Sequence, residues 1–202
     1  SMGDYIYGNF NEFKNVDISF VVQLDTTFSE ELVDYFKKQN ISHAIKDNSC
    51  HDYKLDHGST VPLYFIDKYY KNYKLVTISS SIANKDKLYE VGKAVRKVCE
   101  MQEKKIVLIA SCDVQSNKEL RDMHENPYEK RVNRRILESI DKLEVFKDYD
   151  TESTRFKEVQ KYGLNYISFL LGALAGREIS GILLSYERPF GTGYGVMKFK
   201  TT

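Results

Sequence analysis

Glycine and proline are scarce in this chain, 11 and 3 of 202 residues, or about 7% together against an average near 12%. That scarcity excludes a collagen-like or low-complexity chain. A surplus of one charge is also missing, since 30 Lys+Arg stand against 29 Asp+Glu for a net charge of +1. Phosphate backbones are bound through a basic surplus or stripe, so nucleic acid is not an expected partner. Cysteine is limited to Cys50, Cys99 and Cys112. An odd number with no CxxC pair supplies neither a disulfide framework nor a zinc knuckle. No signal peptide opens the sequence, and the longest apolar runs, such as 106–110, fall far short of the ~20 residues of a membrane span. The expectation is a reduced, cytoplasmic protein that does not enter a membrane.

Aromatic side chains are plentiful, with 15 Tyr and 11 Phe, which sets the chain apart from disordered sequences. Its length suits one domain with a real core. Ser1-Met2 reads as a scar left by tag removal, and residues 3–202 as a single domain.

Along the chain, strand and helix patterns alternate. Asp17 to Val22 reads as a strand. Thr27 and Glu30 form a T-x-x-E capping box before a helix with Leu32, Val33 and Phe36 on one face, and Asn40 reads as its stop. Ile41 to Ile45 reads as a short strand, and 47–58 as a polar loop. Pro62 to Tyr70 reads as a short helix, Lys74 to Ser79 as a strand and Asn84 to Gln102 as a helix with Leu88, Val91, Val95 and Val98 inward. The unbroken apolar run Lys105 to Ser111 suits a central strand covered on both faces. Asn126, Pro127 and Glu129 start a long helix through Leu143. Thr151 to Gln160 and Asn165 to Leu174 read as further helices. Ile179 to Tyr186 and Tyr194 to Phe199 read as two closing strands. This order predicts an α/β fold, a central and mostly parallel sheet flanked by helices.

Chemistry concentrates in a few places. Asp56-His57-Gly58 ends the polar loop just before a helix, where an imidazole can reach an oxygen ligand and act as acid or base. Ser111-Cys112-Asp113 follows the apolar run, and the C-terminal end of a central strand is where α/β folds place their sites. A turn or cap explains Asp113 as well. Ser185 to Gly195, SYERPFGTGYG, holds Glu187 among glycines and aromatics. A hairpin with a glycine-rich connection accounts for the glycines, though less well for an acid that ends an apolar strand. The other histidines, His43, His51 and His124, show no metal-ligand interval.

Three of these segments together carry a family resemblance. The run Asp56-His57-Gly58-Ser59-Thr60-Val61-Pro62-Leu63-Tyr64-Phe65 resembles the D-H-G-x-x-V-P-L-Y-F stretch of the LigB family. Those proteins are catalytic subunits of class III extradiol ring-cleavage dioxygenases. Ser185-Tyr186-Glu187-Arg188-Pro189-Phe190-Gly191 resembles that family's S-Y-E-G-P-F-G, and Ile109-Ala110-Ser111-Cys112-Asp113 resembles the start of its I-A-S-G-D-L-S-H. Gly8-Asn9-Phe10 and Leu170 to Leu174 fit as well. The match looks closest to the Memo-like branch associated with AMMECR1 domains.

The resemblance implies a LigB-like, phosphorylase-type layered fold that lacks the family's first βα units. It implies Fe(II) held by two histidines and a carboxylate, with open positions for a catechol-type small molecule and O₂. Glu187 matches the metal carboxylate, and His57 an active-site histidine that is not a metal ligand. Asp56, Asp113, Ser116 and Tyr186 are candidates to line the site. Both metal histidines precede the matched region and have no counterpart here. Ser116 stands where the family's D-L-S-H carries a catalytic histidine, and serine is no base near neutral pH without an activating partner. The expectation is therefore a dioxygenase-like chain that is inactive in this form. The alternative is a non-catalytic binding or assembly module. An uncovered sheet edge would favour a homo-oligomer or a second subunit as partner.

Overall fold

The computed structural model describes residues 5–10, 18–45, 54–79, 84–111, 164–187 and 194–201. The chain forms two compact units, Ser1–Ile82 with Lys97–Ser111, and Ala83–Arg96 with Cys112–Thr202.

In the first unit, β1 (Tyr5–Asn9) pairs antiparallel with β2 (Ser19–Gln23). Alternation decides the faces: Ile6 and Gly8 point inward, while Tyr5 and Tyr7 face solvent. Gly8 lies opposite Phe20. A Cβ there would stand 2.7 Å from the tip of the Phe20 ring, so the bare backbone gives the aromatic its seat. Single parallel bridges flank the pair, Tyr7 with Lys54 and Leu24 with Leu75. They are fastened by Leu55 N–H to the Tyr7 carbonyl (2.8 Å) and Leu75 N–H to the Gln23 carbonyl (2.8 Å). Ile6, Val22, Leu55 and Leu63 form the buried cluster beneath, with Phe20, Leu24, Ile66, Tyr73 and Leu75 packed against it.

Helix α1 spans Thr26–Lys38 and buries Phe28, Leu32 and Phe36. Its cap corrects the T-x-x-E expectation. Asp25 is the N-cap, and its carboxylate accepts from the Phe28 N–H at 3.1 Å. Thr27 and Glu30 fall inside the helix because the bridge at Leu24 fixes the chain just before Asp25. Asn40 does end the helix. It takes φ of 54°, and the Asn40 and Ile41 N–H groups donate to the Lys37 and Phe36 carbonyls at 3.1 and 2.9 Å, the pairing of a Schellman motif. That motif ties up Ile41, and residues 41–45 form no ladder, contrary to the strand expected there.

Helix α2 covers His57–Asp67, beginning five residues before the expected start at Pro62. Asp56 caps it and Leu63 packs inward, which carries the helix through Pro62 despite the lost N–H. Helix α3 covers Lys85–Glu100. The Asn84 carboxamide oxygen accepts from the Asp86 and Lys87 N–H groups at 3.0 and 3.1 Å. Leu88, Val95 and Val98 are buried as their spacing requires, and Val91 is half-buried.

In the second unit, α4 (Leu164–Leu174) buries Ile167, Phe169, Leu171 and Ala173. The two closing strands are β3 (Ile179–Glu187) and β4 (Tyr194–Thr201), an antiparallel hairpin around the glycine-rich connection.

Helices and strands mix as an α/β reading requires, but the ladders among the described residues are antiparallel and the parallel pairings are single bridges. Connection length explains this. Parallel neighbours need a crossover of roughly a dozen residues or more, whereas β3 ends at Glu187 and β4 starts at Tyr194. Residues 74–79 and 105–111, expected as strands, carry at most the Leu75 bridge. No described strand pairs with 105–111, and Val107 is 83% exposed there. The helices expected over 126–143 and 151–160 lie outside the described residues.

Candidate functional site

The first unit presents Asp56, His57, Gly58 and Ser111 at one place. Leu55 is pinned to β1 and buried, so the chain leaves the sheet in a fixed direction and turns at once into α2. Asp56 makes that turn. Its carboxylate accepts from the Ser59 N–H at 2.8 Å, and its carbonyl accepts from the Thr60 N–H at 2.8 Å and the Thr60 hydroxyl at 2.7 Å. Thr60 is 1% exposed, which makes it the inner anchor of the first turn. His57 is the first helical residue and is exposed.

Ser111 arrives from a distant part of the sequence. Its Oγ lies 3.7 Å from the point where a Cβ of Gly58 would sit, and Asp56 Oδ1 lies 3.8 Å from the same point. Two oxygens thus flank the bare Gly58 face. The Ser111 position next to α2 was not readable from the sequence. The one available signal was that both segments carry family motifs.

Tyr64, on the same helix, meets Phe10 edge-on with ring centroids 5.5 Å apart and Phe65 at 5.2 Å. Phe65 is 59% exposed. An aromatic wall therefore lies further along α2 from His57.

Glu187 belongs to the second unit. It ends β3, pairs with Tyr194 across the hairpin, and is exposed. A bulge at Leu184 interrupts the register between Leu183 and Ser185. One extra residue shifts the alternation, so the bulge sets which face Glu187 takes. Tyr186 is half-buried, and its hydroxyl has no hydrogen-bond partner among the described residues. Asp113 and Ser116 lie outside the described residues.

A facial triad needs two imidazoles and a carboxylate. Among the described residues no three His, Cys, Asp or Glu side chains gather to hold a metal ion. Of the described histidines, His43 donates from Nδ1 to the Ile41 carbonyl at 2.8 Å and tilts against Phe36, which makes it part of the α1 terminus. The described residues thus do not by themselves fit an Fe(II) centre. No helix among the described residues is long and apolar enough to cross a membrane.

Residues 4–197 match the model of the LigB family, described as the catalytic LigB subunit of aromatic ring-opening dioxygenase. The chain is also 30% identical over 203 aligned residues to the protein CA_C1420 of Clostridium acetobutylicum. That alignment covers 98% of this chain and 43% of the relative, so the chain spans less than half of the relative's length. The chain belongs to the LigB family.

Proposed function

We propose that this LigB-family chain supplies the acid/base histidine and one carboxylate of an extradiol-dioxygenase-like subunit, and that these 202 residues alone do not open aromatic rings. The observation that carries the reading is the placement of His57. Asp56 fixes the first turn of α2, and His57 is the first residue of that turn and is exposed. There it can accept a proton from a phenolic hydroxyl and return one to the opened product. Gly58 and Ser111 border the same place. In the LigB family Fe(II) is the expected cofactor, which binds the catechol and O₂ together. Glu187 is the family's carboxylate ligand by resemblance. The two imidazole ligands have no counterpart among His43, His51, His57 and His124.

One observation favours the second reading, a non-catalytic Memo-like binding or assembly module. Ser116 occupies the place of the D-L-S-H histidine, so even added imidazole ligands would leave the site without that group. The two readings share a test. The 202-residue chain is loaded anaerobically with Fe(II), desalted, and assayed for iron content and for oxygen uptake with catechol. Substoichiometric iron and no oxygen uptake are expected. One iron per chain with a ring-opened product would overturn the proposal.

A further inference from the structure

The hairpin of the second unit has two outer edges, and the sequence guards only one of them. Along β4, Lys198 and Lys200 are exposed, and lysine on an edge strand deters pairing with another chain. Strand β3 has no such guard. From Ile179 to Tyr186 it holds neither a charge nor a proline, and Ile182, Leu183 and Leu184 are 49%, 38% and 58% exposed. The bulge between Leu183 and Ser185 adds Leu184 to this apolar run. Among the described residues β3 pairs with β4 alone, in a two-stranded sheet. Two strands are marginal in water, and an unguarded apolar edge is a template for a further strand.

The residues along the edge decide which strand suits it. Antiparallel pairing of β3 with itself, centred on Leu183, engages all nine residues of the strand. Leu183 then faces its own copy and Ile182 faces Leu184, so aliphatic side chains meet at the centre. Gly181 faces Ser185 and Ser180 faces Tyr186, with no like charges opposed. At each end Glu187 faces Ile179, one diagonal step from Arg177 of the other copy, which brings opposite charges together. Such a twofold contact is closed, because it uses up the β3 edge of both copies.

We propose that β3 pairs antiparallel with β3 of a second copy of this chain, about a twofold axis at Leu183. The protein is then a dimer that shares one four-stranded sheet.

Sedimentation equilibrium of the 202-residue chain, from micromolar to near-millimolar concentration, tests it. A monomer–dimer equilibrium without larger species is expected. Ile182→Lys and Leu184→Glu each set a charge opposite an aliphatic side chain, twice per dimer, and should weaken dimerisation about tenfold or more. The double variant sets the two new charges, of opposite sign, face to face and should regain most of the loss. Val107→Lys, at an exposed apolar position outside the hairpin, should leave the equilibrium unchanged. Amide exchange of the parent chain gives a reading free of substitution, and it decides the matter if circular dichroism shows that a variant has lost its fold. Exchange in β3 should slow as concentration rises, while exchange in β1 should not. A chain that stays monomeric overturns the proposal, as do larger assemblies, a dimer indifferent to both single substitutions, or a double variant no better than either. Loss of the dimer in Val107→Lys alone would move the contact to residues 105–111 and overturn it too. Neither iron nor catechol enters these measurements, so they are independent of the ring-opening reading.

Discussion

Gly92 of α3 and Gly172 of α4 lie where the two helices touch backbone to backbone. A Cβ on Gly92 would strike the Phe169 carbonyl oxygen and stand 2.8 Å from the Ala173 nitrogen. A Cβ on Gly172 would strike the Tyr89 carbonyl oxygen and stand 2.7 Å from its carbonyl carbon. Neither neighbour is a side chain that can swing aside. Gly92→Ala or Gly172→Ala must therefore push the helices apart, at about 1–3 kcal/mol for overpacking. That outweighs the gain of up to ~1 kcal/mol that alanine brings to a helix. A lower urea midpoint for each variant is the expected result, with the pair less than additive because one displacement relieves both clashes.

The contrast between Gly92 and its neighbours marks what sequence reading reaches. Leu88, Val95 and Val98 announce a buried face by spacing, and that face is buried. Spacing says nothing of how close a partner helix comes, so Gly92 was silent. The hairpin of β3 and β4 was legible because alternation and a glycine-rich connection are both local signals. The α1 cap falls at Asp25 rather than Thr27 because the bridge from Leu24 to the distant Leu75 fixes where the chain leaves the sheet, which no local pattern states. The continuous run 105–111 specified apolarity without specifying a partner strand. In the site, Asp56 and His57 were legible from a motif. Ser111 beside Gly58 was not, since only the fold joins two distant segments.

Asp25 should make stability depend on acid. Burial opposes its charge. The hydrogen bonds from Lys104 and the Phe28 N–H, with the charges of Lys104 and Lys74, overcome that and hold the carboxyl below its ordinary 3.8. Lys104 Nζ lies 2.6 Å from its Oδ2. A carboxyl depressed on folding stabilises the protein above its unfolded value, and that contribution fades as pH falls through the folded value. Asp25→Asn keeps a capping oxygen and loses the charge. It should be less stable than the parent by up to ~1 kcal/mol at neutral pH, and the gap should close in acid. Asp25→Ala also loses the cap, for about 1 kcal/mol more. Urea melts across the acid range read both differences, and a gap that persists unchanged in acid would sink the assignment.

Cys99 should be a slow thiol. Burial first, and the charge of Glu100 second, push its ionisation above the ordinary 9.0. The thiolate is the reactive form, so little of it exists at neutral pH. In a Cys50→Ser, Cys112→Ser background, reaction with a disulfide reagent should lag a free thiol in the native state and speed up on unfolding. Equal native and unfolded rates would contradict the burial.

Asn40 gives a small and directional test of the α1 terminus. Its φ of 54° lies where a β-carbon is strained and where glycine is not. Asn40→Gly should therefore be neutral or slightly stabilising. Asn40→Val should cost about 1–2 kcal/mol, because a β-branched side chain fits that region worst. Thermal melts should place Asn40→Val clearly below the parent and Asn40→Gly level with it or above.

Asp56 joins fold to chemistry, and two substitutions separate its roles. Its carboxylate holds the Ser59 N–H at 2.8 Å, and that bond starts α2 at His57. Asp56→Ala removes the cap and should destabilise by about 1 kcal/mol. The Asp56 carbonyl bonds to the Thr60 N–H and hydroxyl survive, so the helix frays rather than unfolds. Amide exchange should accelerate at Gly58 and Ser59 with little change at Leu63. Asp56→Asn keeps a capping oxygen and should restore slow exchange. An Asp56→Ala variant whose Ser59 amide stays as protected as in the parent would show that the carboxylate does not start the helix.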